Sequence, residues 1–590
     1  MTPTHRSSVF AFGLAASTLL AACGGEHRFD TDAWGELESD ETKLAEIVLE
    51  APPRETARPA LFERTPPAML DVIERIREVG ADKNVKGVFL RVSSFGGAWG
   101  RTADLIAALS DVRKTKKPIH CHFDSTDNSG FLLAASVCDR ISMNPAGWLN
   151  LIGVAAQTFY AREFLEKLGL EADFVKMGRY KSAIEPLTQD GMSDASREML
   201  GALLDDYDQQ LVSGIARGRS LPEAKVKALL DEGPFDAAGA VELKLIDDVA
   251  FDDEAREHLR RATKTKRIRR VPLRKEDQEV TLATIIEALA GNGDEGKPDG
   301  DRLAVVYVVG NIVDGEESSG DDAVAGPFVR QMRRLADDPK VKAVVVRIDS
   351  PGGSAGASDR MWHAVRAAEK RKPVIISVGD MAASGGYYIA AGGREIYAEP
   401  LSLVGSIGVF GGKISLKGLG EKLGIHTEKL SRSKNAGWMS ATEKFSDSER
   451  VVFQRMLERT YWRFIDRVAS GRKLDKKDVL KVAEGRVWTA KRALDVGLVT
   501  KLGAFGEAIA RARQLGKLSA DAPIDAWPRE MGVLESLAGR HNDDETLARL
   551  AVGPAADRLL EIRRQTGLVR SLLTAEQPVM TALPFTLDIR

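Results

Sequence analysis

The sequence lacks several features, and each absence excludes a class of protein. None of its hydrophobic runs reaches the roughly 18 residues of a transmembrane helix. Its formal net charge of −2 at pH 7 gives no general reason to expect nucleic-acid binding. Three cysteines in 590 residues are too few for a disulfide framework. The composition is that of a globular protein, and the chain is too long for one hydrophobic core, so we expect two or more domains.

A short cluster of histidine and cysteine suggests metal ligands at first sight. His120, Cys121 and His122 are consecutive in the sequence. On a strand, however, successive side chains point to opposite faces, so these three cannot converge on one ion. The sequence therefore predicts no metal site.

The first residues of the chain differ from the rest in composition. A positive start that includes Arg6 precedes an apolar run over Val9–Leu20, which is typical of a secretory signal. The run ends in Leu-Ala-Ala-Cys at Cys23, which resembles the bacterial lipobox, whose cysteine is lipidated and becomes the new amino terminus. We expect a signal peptide over residues 1–22 and a membrane tether over residues 23–40. The alternative is an ordinary signal peptide followed by a chance cysteine.

The sequence also contains an internal repeat. The stretch Val85–Gly97 resembles Val341–Gly353 at an offset of 256 residues. The same order continues at an offset of 255, where Ser129 corresponds to Ser384. One register kept over about 150 residues indicates a duplicated domain.

Each copy alternates short apolar runs with helical patterns. In the second copy the pattern predicts strands over Leu303–Val309, Val341–Ile348 and Pro373–Val378. It predicts helices over Phe328–Ala336, Ala357–Arg371 and Ser415–Leu423. This βαβ alternation predicts an α/β fold with a mostly parallel sheet and helices around it.

The copies and the segments around them set the domain boundaries. We place the first copy at residues 41–275 and the second at residues 303–515, joined by a linker over 276–302 that contains glycines, a proline and charges. The basic stretch Lys264–Lys275 is interpreted as a solvated surface or, alternatively, as a patch that faces anionic lipid. Residues 516–590 form an extension without an assigned role.

Ser384 is the first candidate for chemistry, because it lies among small residues in Gly-Asp-Met-Ala-Ala-Ser-Gly-Gly. A serine becomes a nucleophile when a base removes its proton and backbone N–H groups stabilise the oxyanion. The turn at Gly352 and Gly353 and the N–H of Gly385 are candidate donors. The alternative is a tight strand-to-helix turn that only requires small residues.

The base is less evident from the residues alone. His363 lies in a predicted helix and His426 in a loop, and neither has a catalytic motif around it. Lys181, in Gly-Arg-Tyr-Lys-Ser-Ala-Ile-Glu-Pro, follows an apolar run, and a buried lysine amine can become neutral and act as a base. The alternative is a surface lysine at the end of a strand.

Together, GRYKSAIEP, DSPGGS and MAASGGYYIA resemble the bacterial signal peptide peptidase family in its long, duplicated form, within the Clp-protease/crotonase superfamily. The resemblance covers roughly residues 40 to 515 of the sequence. It implies a serine endopeptidase with Ser384 as nucleophile and Lys181 as base, which form a Ser-Lys dyad across the two copies. It also implies an oxyanion hole at Gly352, Gly353 and Gly385, and no cofactor.

The resemblance carries expectations about partners and location as well. It implies a tetrameric ring and peptide substrates such as signal-peptide remnants. Members of the long form are associated with a membrane-spanning anchor, which lipidated Cys23 would replace here. The protein would face the periplasm, and Gly24 provides no aspartate-type signal for inner-membrane retention, so either membrane is open.

Other pairings and other activities stay open at this point. Ser129 occupies the position equivalent to Ser384, and Lys434 follows Ser384 at a spacing close to that between Ser129 and Lys181. We interpret Ser129 as a relic, because it lacks the preceding alanines and the following double glycine. The competing functions are a crotonase-like enzyme that acts on acyl thioesters and an inactive envelope scaffold of the same fold.

Overall fold

A computed structural model describes residues 42–56, 67–273, 298, 300–317, 322–528 and 579–582. The predicted signal peptide, Cys23 and the tether lie outside the described residues, as do most of the linker and most of the final extension. Within the described ranges, no helix combines the length and the hydrophobicity that crossing a membrane requires.

The first repeat begins with alternating strands and helices and ends with a helical part. Its elements are β1 (Lys43–Leu49), α1 (Met69–Ala81), β2 (Val85–Val92), α2 (Trp99–Lys114), β3 (Ile119–Phe123), β4 (Thr126–Asp127), α3 (Asn128–Val137), β5 (Arg140–Met143), β6 (Trp148–Asn150), α4 (Arg162–Leu168), β7 (Glu171–Met177), α5 (Glu185–Thr188), α6 (Asp194–Arg219), α7 (Glu223–Glu232), β8 (Phe235–Asp236), α8 (Ala237–Glu242), β9 (Asp248–Val249), α9 (Asp252–Thr263) and β10 (Arg267–Arg270).

The second repeat follows the same order with additional short strands. Its elements are β11 (Arg302–Val309), β12 (Ile312–Val313), β13 (Ala323–Val324), α10 (Ala325–Asp337), β14 (Val341–Ser350), β15 (Gly352–Ser354), α11 (Ala355–Glu369), β16 (Val374–Ala383), α12 (Gly385–Ala390), β17 (Glu395–Ala398), β18 (Leu403–Gly405), β19 (Val409–Ser415), α13 (Lys417–Lys422), α14 (Asp447–Arg472), α15 (Lys476–Val482), β20 (Val487–Thr489), α16 (Ala490–Asp495), β21 (Lys501–Leu502), α17 (Phe505–Leu515), β22 (Ile524–Trp527) and, much later, β23 (Val579–Ala582).

Each repeat is built on its own twisted sheet. The first sheet has the strand order β10-β1-β2-β3-β5-β9, and all of these pairs are parallel. The second has the order β22-β11-β14-β16-β18-β20, with β17 and β21 attached beside β16, and its pairs are parallel apart from β18 and β20. The sheets confirm the predicted, mostly parallel α/β fold and its tandem duplication.

A third sheet joins the two repeats. Its strand order is β13-β12-β15-β23-β19-β7. β7 belongs to the first repeat, and it pairs antiparallel with β19 of the second over its whole length, from Glu171 opposite Ser415 to Met177 opposite Val409. This join carries the segment after β7, which contains Lys181, into the second repeat.

A buried ion cluster also connects the repeats. The Arg347 guanidinium of β14 donates to both carboxylate oxygens of Glu55 at 2.8 Å and to Asp104 at 2.6 Å. Glu55 and Asp104 belong to the first repeat, and all three side chains are at most 1% exposed. Since charges this deeply buried need partners, the cluster fixes how the repeats dock.

Several details differ from the sequence-based expectations. The strand predicted over Pro373–Val378 continues to Ala383, because Met381 to Ala383 pair with β18. The predicted helix over residues 415–423 is shorter, since Ser415 ends β19. β19 itself was not predicted, because Gly411 and Gly412 in its centre weaken the strand pattern.

The two cysteines outside the amino-terminal segment form a disulfide, which the sequence analysis did not predict. Cys121 in β3 is bonded to Cys138, the residue that follows α3. The bond rules out Cys121 as a metal ligand, and His122 contacts the Ser142 hydroxyl through Nδ1 at 2.9 Å.

Candidate active site

Ser384 lies at the turn between β16 and α12, in the centre of the second repeat. Its side chain is fully buried, and its backbone is strained, with φ 51° and ψ −108°. The Ser384 N–H donates to the Gly405 carbonyl at 2.8 Å, which fixes the turn against the end of β18. The close packing of this turn requires small residues, because a Cβ on Gly386 would lie 2.9 Å from the Ser350 carbonyl oxygen.

Lys181 reaches this turn from the other repeat. Beyond β7 the chain turns through Gly178, and the Tyr180 N–H donates to the Glu484 carbonyl at 2.8 Å. Gly485, with φ +80°, lies directly against Lys181. A Cβ on Gly485 would come within 2.6 Å of the backbone nitrogen of Lys181. The β7–β19 pairing and these contacts therefore hold Lys181 inside the second repeat.

The two candidate side chains touch one another. Lys181 Nζ lies 2.8 Å from Ser384 Oγ, 2.8 Å from Ser406 Oγ and 3.2 Å from the Ser406 carbonyl oxygen. All three residues are 0% exposed. The result is a buried cluster of one amine and two hydroxyls.

Burial determines the electrostatics of this cluster. Desolvation lowers the pKa of Lys181 well below its ordinary value, because the charged ammonium loses its water without gaining a carboxylate partner. A neutral amine has a lone pair that can accept a proton from a neighbouring hydroxyl. The cluster can therefore perform base-assisted nucleophilic chemistry.

The predicted oxyanion donors lie beside this cluster. Gly352 and Gly353, with φ of +106° and +156°, begin β15, which follows β14, and Ser350 at the end of β14 pairs with Ala382. A Cβ on Gly353 would lie 2.0 Å from the Ile312 carbonyl oxygen, so this position requires glycine. The Gly352 N–H donates to Ser350 Oγ at 3.2 Å, and Gly385 begins α12.

Ser406 is the residue of the cluster that the sequence analysis did not identify. It follows β18 with a positive φ of 52°, and its N–H donates to the Arg486 carbonyl at 2.7 Å. The match between the two copies gave only weak evidence for Ser406, which lies just before Gly408 in the segment that matches the first copy. The first copy has Leu151 at the corresponding position, so the comparison of copies gave no polar pattern.

The alternative residues lie elsewhere. Ser129 is buried in the first repeat, and its hydroxyl donates to Asp127 at 3.0 Å beside the start of α3. Lys434 lies in an exposed loop of the second repeat, and His363 and His426 are exposed. The Ser384 hydroxyl is contacted by Lys181 and by none of these side chains.

An apolar cluster lies beside the lysine. Ala183 and Ile184, which follow Lys181 closely, pack with Phe410 of β19 and Met580 of β23, and Phe174 packs against them. Among the described residues, no group of three or more histidine, cysteine, aspartate or glutamate side chains could hold a metal ion.

Comparisons with known proteins identify the family to which the sequence is similar. The sequence matches Peptidase family S49 over residues 111–266 and 366–519, and Clp protease over residues 309–408. It is 32% identical to Protease 4 of Salmonella typhi over 479 residues, covering 79% of this chain and 75% of that protein. It is 31% identical to Protease 4 of Haemophilus influenzae, in a match that covers 78% of this chain and 75% of that protein.

A plant protein is similar over a comparable region. The chain is 30% identical over 445 residues to a protein named serine protease SPPA, chloroplastic, from Arabidopsis thaliana. The match covers 75% of this chain and 64% of the plant protein.

Proposed function

Since the chain belongs to peptidase family S49, we propose that it is a serine endopeptidase in which Lys181 activates Ser384. One observation carries this proposal, namely the 2.8 Å contact between Lys181 Nζ and Ser384 Oγ at full burial. The two residues are 203 positions apart in the chain and belong to different repeats. A contact of this kind matches the requirement that nucleophile and base lie within hydrogen-bond reach.

In the proposed reaction the neutral Lys181 amine removes the hydroxyl proton while Ser384 Oγ attacks the peptide carbonyl carbon. The resulting ammonium then donates this proton to the leaving amine as the peptide C–N bond breaks. An acyl-enzyme on Ser384 remains. A water molecule, deprotonated by the same amine, hydrolyses the ester and restores both side chains.

Ser406 completes the hydrogen bonding of the amine. A neutral lysine amine has two N–H donors and one lone pair. The Ser406 hydroxyl and carbonyl oxygens accept the two N–H bonds, so the lone pair is left to face the Ser384 hydroxyl. We propose Ser406 as a positioning residue, because it acts on Ser384 through the orientation of Lys181.

Backbone N–H groups would stabilise the tetrahedral intermediate. The Gly385 N–H follows the nucleophile directly and begins a short helix, and the β15 turn at Gly352 and Gly353 borders the same site. The Gly352 N–H is already bonded to Ser350 Oγ, so it would have to exchange this partner. Such donors act on charge that develops during the reaction.

The proposed substrates are apolar peptides, such as the remnants of cleaved signal peptides. The apolar cluster of Ala183, Ile184 and Phe410 beside Lys181 suits an apolar side chain of the substrate. A relative from Enterococcus faecium, 33% identical over 198 residues, is named putative signal peptide peptidase SppA.

We further propose that the protein is lipidated at Cys23 and faces the periplasm. The Cys121–Cys138 disulfide supports export, because structural disulfides persist in oxidising compartments. Labelling of cells with radioactive palmitate tests the anchor. The full chain is expected to incorporate the label and the Cys23→Ser chain is not, whereas label in the variant would contradict the proposal.

The activity is tested by cleavage of an apolar fluorogenic peptide. We expect Ser384→Ala and Lys181→Ala each to lose about a thousandfold or more in kcat/KM, because each removes one half of the catalytic pair. Lys434→Ala is the matched lysine control and retains parental activity. Full activity in Ser384→Ala would refute the proposal, and an active Lys181→Ala with an inactive Lys434→Ala would refute the base.

A further inference from the structure

A cavity of about 570 Å³ lies between the two repeats, and neither Ser384 nor Lys181 lines it. Helices α2, α3 and α6 of the first repeat form most of its wall, and the turn after β17 of the second repeat completes it. We call it the α2–α6 cavity. Its volume falls within the range of pockets that bind small molecules, roughly 300–1,000 Å³. The lining residues therefore decide which ligand it suits.

Glu399 is the buried acidic residue of the α2–α6 cavity. It is 8% exposed, and within the part of the chain that the structure describes its carboxyl accepts no hydrogen bond and forms no ion pair. Burying a polar group without a partner costs free energy. A partner that comes from outside the chain would offset this cost.

The fold does not require a carboxyl at this position, as the internal duplication shows. At the offset of 255 residues the counterpart of Glu399 is Asn144. Asn144 Oδ1 accepts from the Ala146 N–H at 3.0 Å, and its amide donates to Asp124 at 3.1 Å. The first repeat therefore uses this side chain to shape its own turn, whereas Glu399 makes no such bond and is free to contact a ligand.

The surroundings of Glu399 disfavour its charged form. Burial raises the pKa of Glu399 to about 8, so its carboxyl is mostly protonated at pH 7. Asp104 of α2 and Glu507 of α17 raise this pKa further, and Arg347 of β14 opposes them. A positive charge beside the carboxyl favours the ionised form. A ligand ammonium group is therefore the natural partner of Glu399.

Arginines line the solvent-exposed end of the cavity. Arg113 of α2 and Arg217 of α6 are both exposed. Arg113 donates to Asp139 at 3.0 Å, whereas Arg217 has neither an ion pair nor a side-chain hydrogen bond among the described residues. A guanidinium binds a carboxylate through two parallel hydrogen bonds. This end of the cavity therefore suits an anionic group.

The two charged ends are separated along α6. The Tyr207 hydroxyl donates to the Leu401 carbonyl at 2.8 Å, which places Tyr207 beside the turn that carries Glu399. Arg217 lies ten residues further along the same helix, which corresponds to a rise of about 15 Å. An extended peptide covers about 3.3 Å per residue, so about four residues span this distance.

We propose that the α2–α6 cavity binds a short apolar peptide with free ends, its ammonium group at Glu399 and its carboxylate at Arg217. Ile106 and Leu132 line the wall, where apolar side chains of the peptide would pack. The choice of a peptide over another molecule with both charges rests on the proposed function, since peptide cleavage releases new amines and carboxylates. The site would hold a product away from the catalytic pair.

Isothermal titration calorimetry with full-length Ser384→Ala chains tests the site without cleavage of the ligand. The probe is the tetrapeptide Leu-Ala-Ala-Leu with free ends. Glu399→Gln and Arg217→Met are each expected to raise Kd about tenfold, because each removes one charge-assisted contact. Glu232→Gln on α7 and Arg333→Met on α10, both at exposed residues, are the matched controls and bind like the Ser384→Ala chain. No binding, or equal Kd in all chains, would overturn the proposal.

Blocked peptides test which end of the ligand meets which residue. Acetylation of the amine should raise Kd about tenfold, and Glu399→Gln should then add no further loss, because the contact is already absent. Amidation of the carboxylate should behave in the same way with Arg217→Met. Losses that add up in either pair would contradict the assigned orientation.

Proton release provides a signature of Glu399 itself. At pH 7 the amine of the peptide is mostly charged, whereas Glu399 is mostly protonated. Pairing ionises the carboxyl, so titrations in two buffers of different ionisation enthalpy should show release of about one proton, which Glu399→Gln abolishes. Binding without proton release would contradict the placement of the amine at Glu399.

Thermal unfolding shows whether weaker binding reflects a damaged fold. The Glu399 carboxyl has no partner in the described chain, so we expect the thermal midpoint of Glu399→Gln to equal or exceed that of the parent. A lower midpoint would mean that the carboxyl stabilises the fold, and would overturn its assignment as a ligand group.

Failure of this proposal is distinguishable from failure of the proposed function. The titrations use chains without the nucleophile, so they do not depend on catalysis. If chains that retain Ser384 cleave no peptide while binding still depends on Glu399 and Arg217, the peptidase proposal fails and the binding site stands. If the parent cleaves peptides and neither substitution changes the Kd of the tetrapeptide, the peptide binds elsewhere and this proposal fails.

Discussion

At the scale of single residues, the proposed chemistry depends on one buried amine with three oxygen neighbours. The residues around Ser384 and Lys181 made both of them candidates, and the resemblance of their motifs to the signal peptide peptidase family selected them over the alternatives. Ser406 had no such pattern, and its role arises from a contact with Lys181 225 positions away. Side-chain contacts between distant segments are not encoded in local spacing, so this residue required the structure.

Ser406→Ala tests the orientation of the amine. The substitution removes one acceptor of the Lys181 N–H bonds. The ammonium form is then less stable, and the amine is held less firmly in the orientation in which its lone pair faces Ser384. We expect kcat to fall about ten- to a hundredfold with little change in KM, and the alkaline rise of the pH–rate profile to move to lower pH. Ser402→Ala, which removes another buried hydroxyl, is the control. An unchanged pH profile would assign Ser406 a purely structural role.

Lys181→Met tests the cost of the buried amine. The folded pKa of Lys181 lies below the unfolded value, so the unfolded chain binds more protons at neutral pH and stability rises with pH between the two values. Replacement by an apolar side chain removes this penalty, about 1.4 kcal/mol for each pKa unit. We expect a higher thermal midpoint at pH 7 and a gain that shrinks toward pH 10. A lower midpoint at pH 7 would contradict the account.

At the scale of elements, the β7–β19 pair and the turn after it decide where the lysine lies. The alternation of strands and helices was predictable, because continuous apolar runs and amphipathic segments have distinct periods. The strand β19 was not predictable, since its central Gly411 and Gly412 interrupt the apolar run. The extension of β16 to Ala383 was also missed, because Gly379 and Asp380 in its second half are untypical of a strand.

Gly485→Ala tests the contact that holds the lysine turn. Gly485 has φ +80°, and a Cβ there would meet the Lys181 backbone at 2.6 to 2.7 Å. We expect Lys181 to move from Ser384 and kcat/KM to fall a hundredfold or more, since a displacement of about 1 Å can have this effect. Gly497→Ala is the matched control, because it has φ +76° but its nearest neighbour would be 3.4 Å away. Equal losses in both variants would mean that backbone strain, and not the contact, is responsible.

At the scale of the whole molecule, the two repeats form the candidate site together, because the first supplies Lys181 and the second supplies Ser384. The duplication was evident from the sequence, since the register persists through many matched residues. The docking of the repeats was not evident from the sequence, because it depends on the pairing of β7 with a strand of the other repeat. It also depends on ion pairs such as that of Arg347 with Glu55, which are 292 positions apart. Residue 55 had no pattern that would indicate a buried partner.

Arg347→Met tests the docking of the repeats. The substitution leaves the buried carboxylates of Glu55 and Asp104 without their cation, which we expect to cost roughly 3–5 kcal/mol. The urea midpoint should fall strongly, and activity should disappear at lower urea because the site spans both repeats. Arg330→Met removes an exposed pair with Glu316 and should leave the urea midpoint nearly unchanged, because solvent screens such pairs. Similar midpoints for the two variants would contradict this role of the cluster.

The most direct test of the central claim is the pH dependence of Ser384 acylation by a serine-directed probe, followed by intact mass and peptide mapping. We expect one adduct, on Ser384, whose rate of formation rises with pH and levels off well below the ordinary pKa of a lysine. Lys181→Met should form this adduct far more slowly at every pH. An adduct elsewhere, or an equal rate in Lys181→Met, would contradict the claim that Lys181 is the base for Ser384.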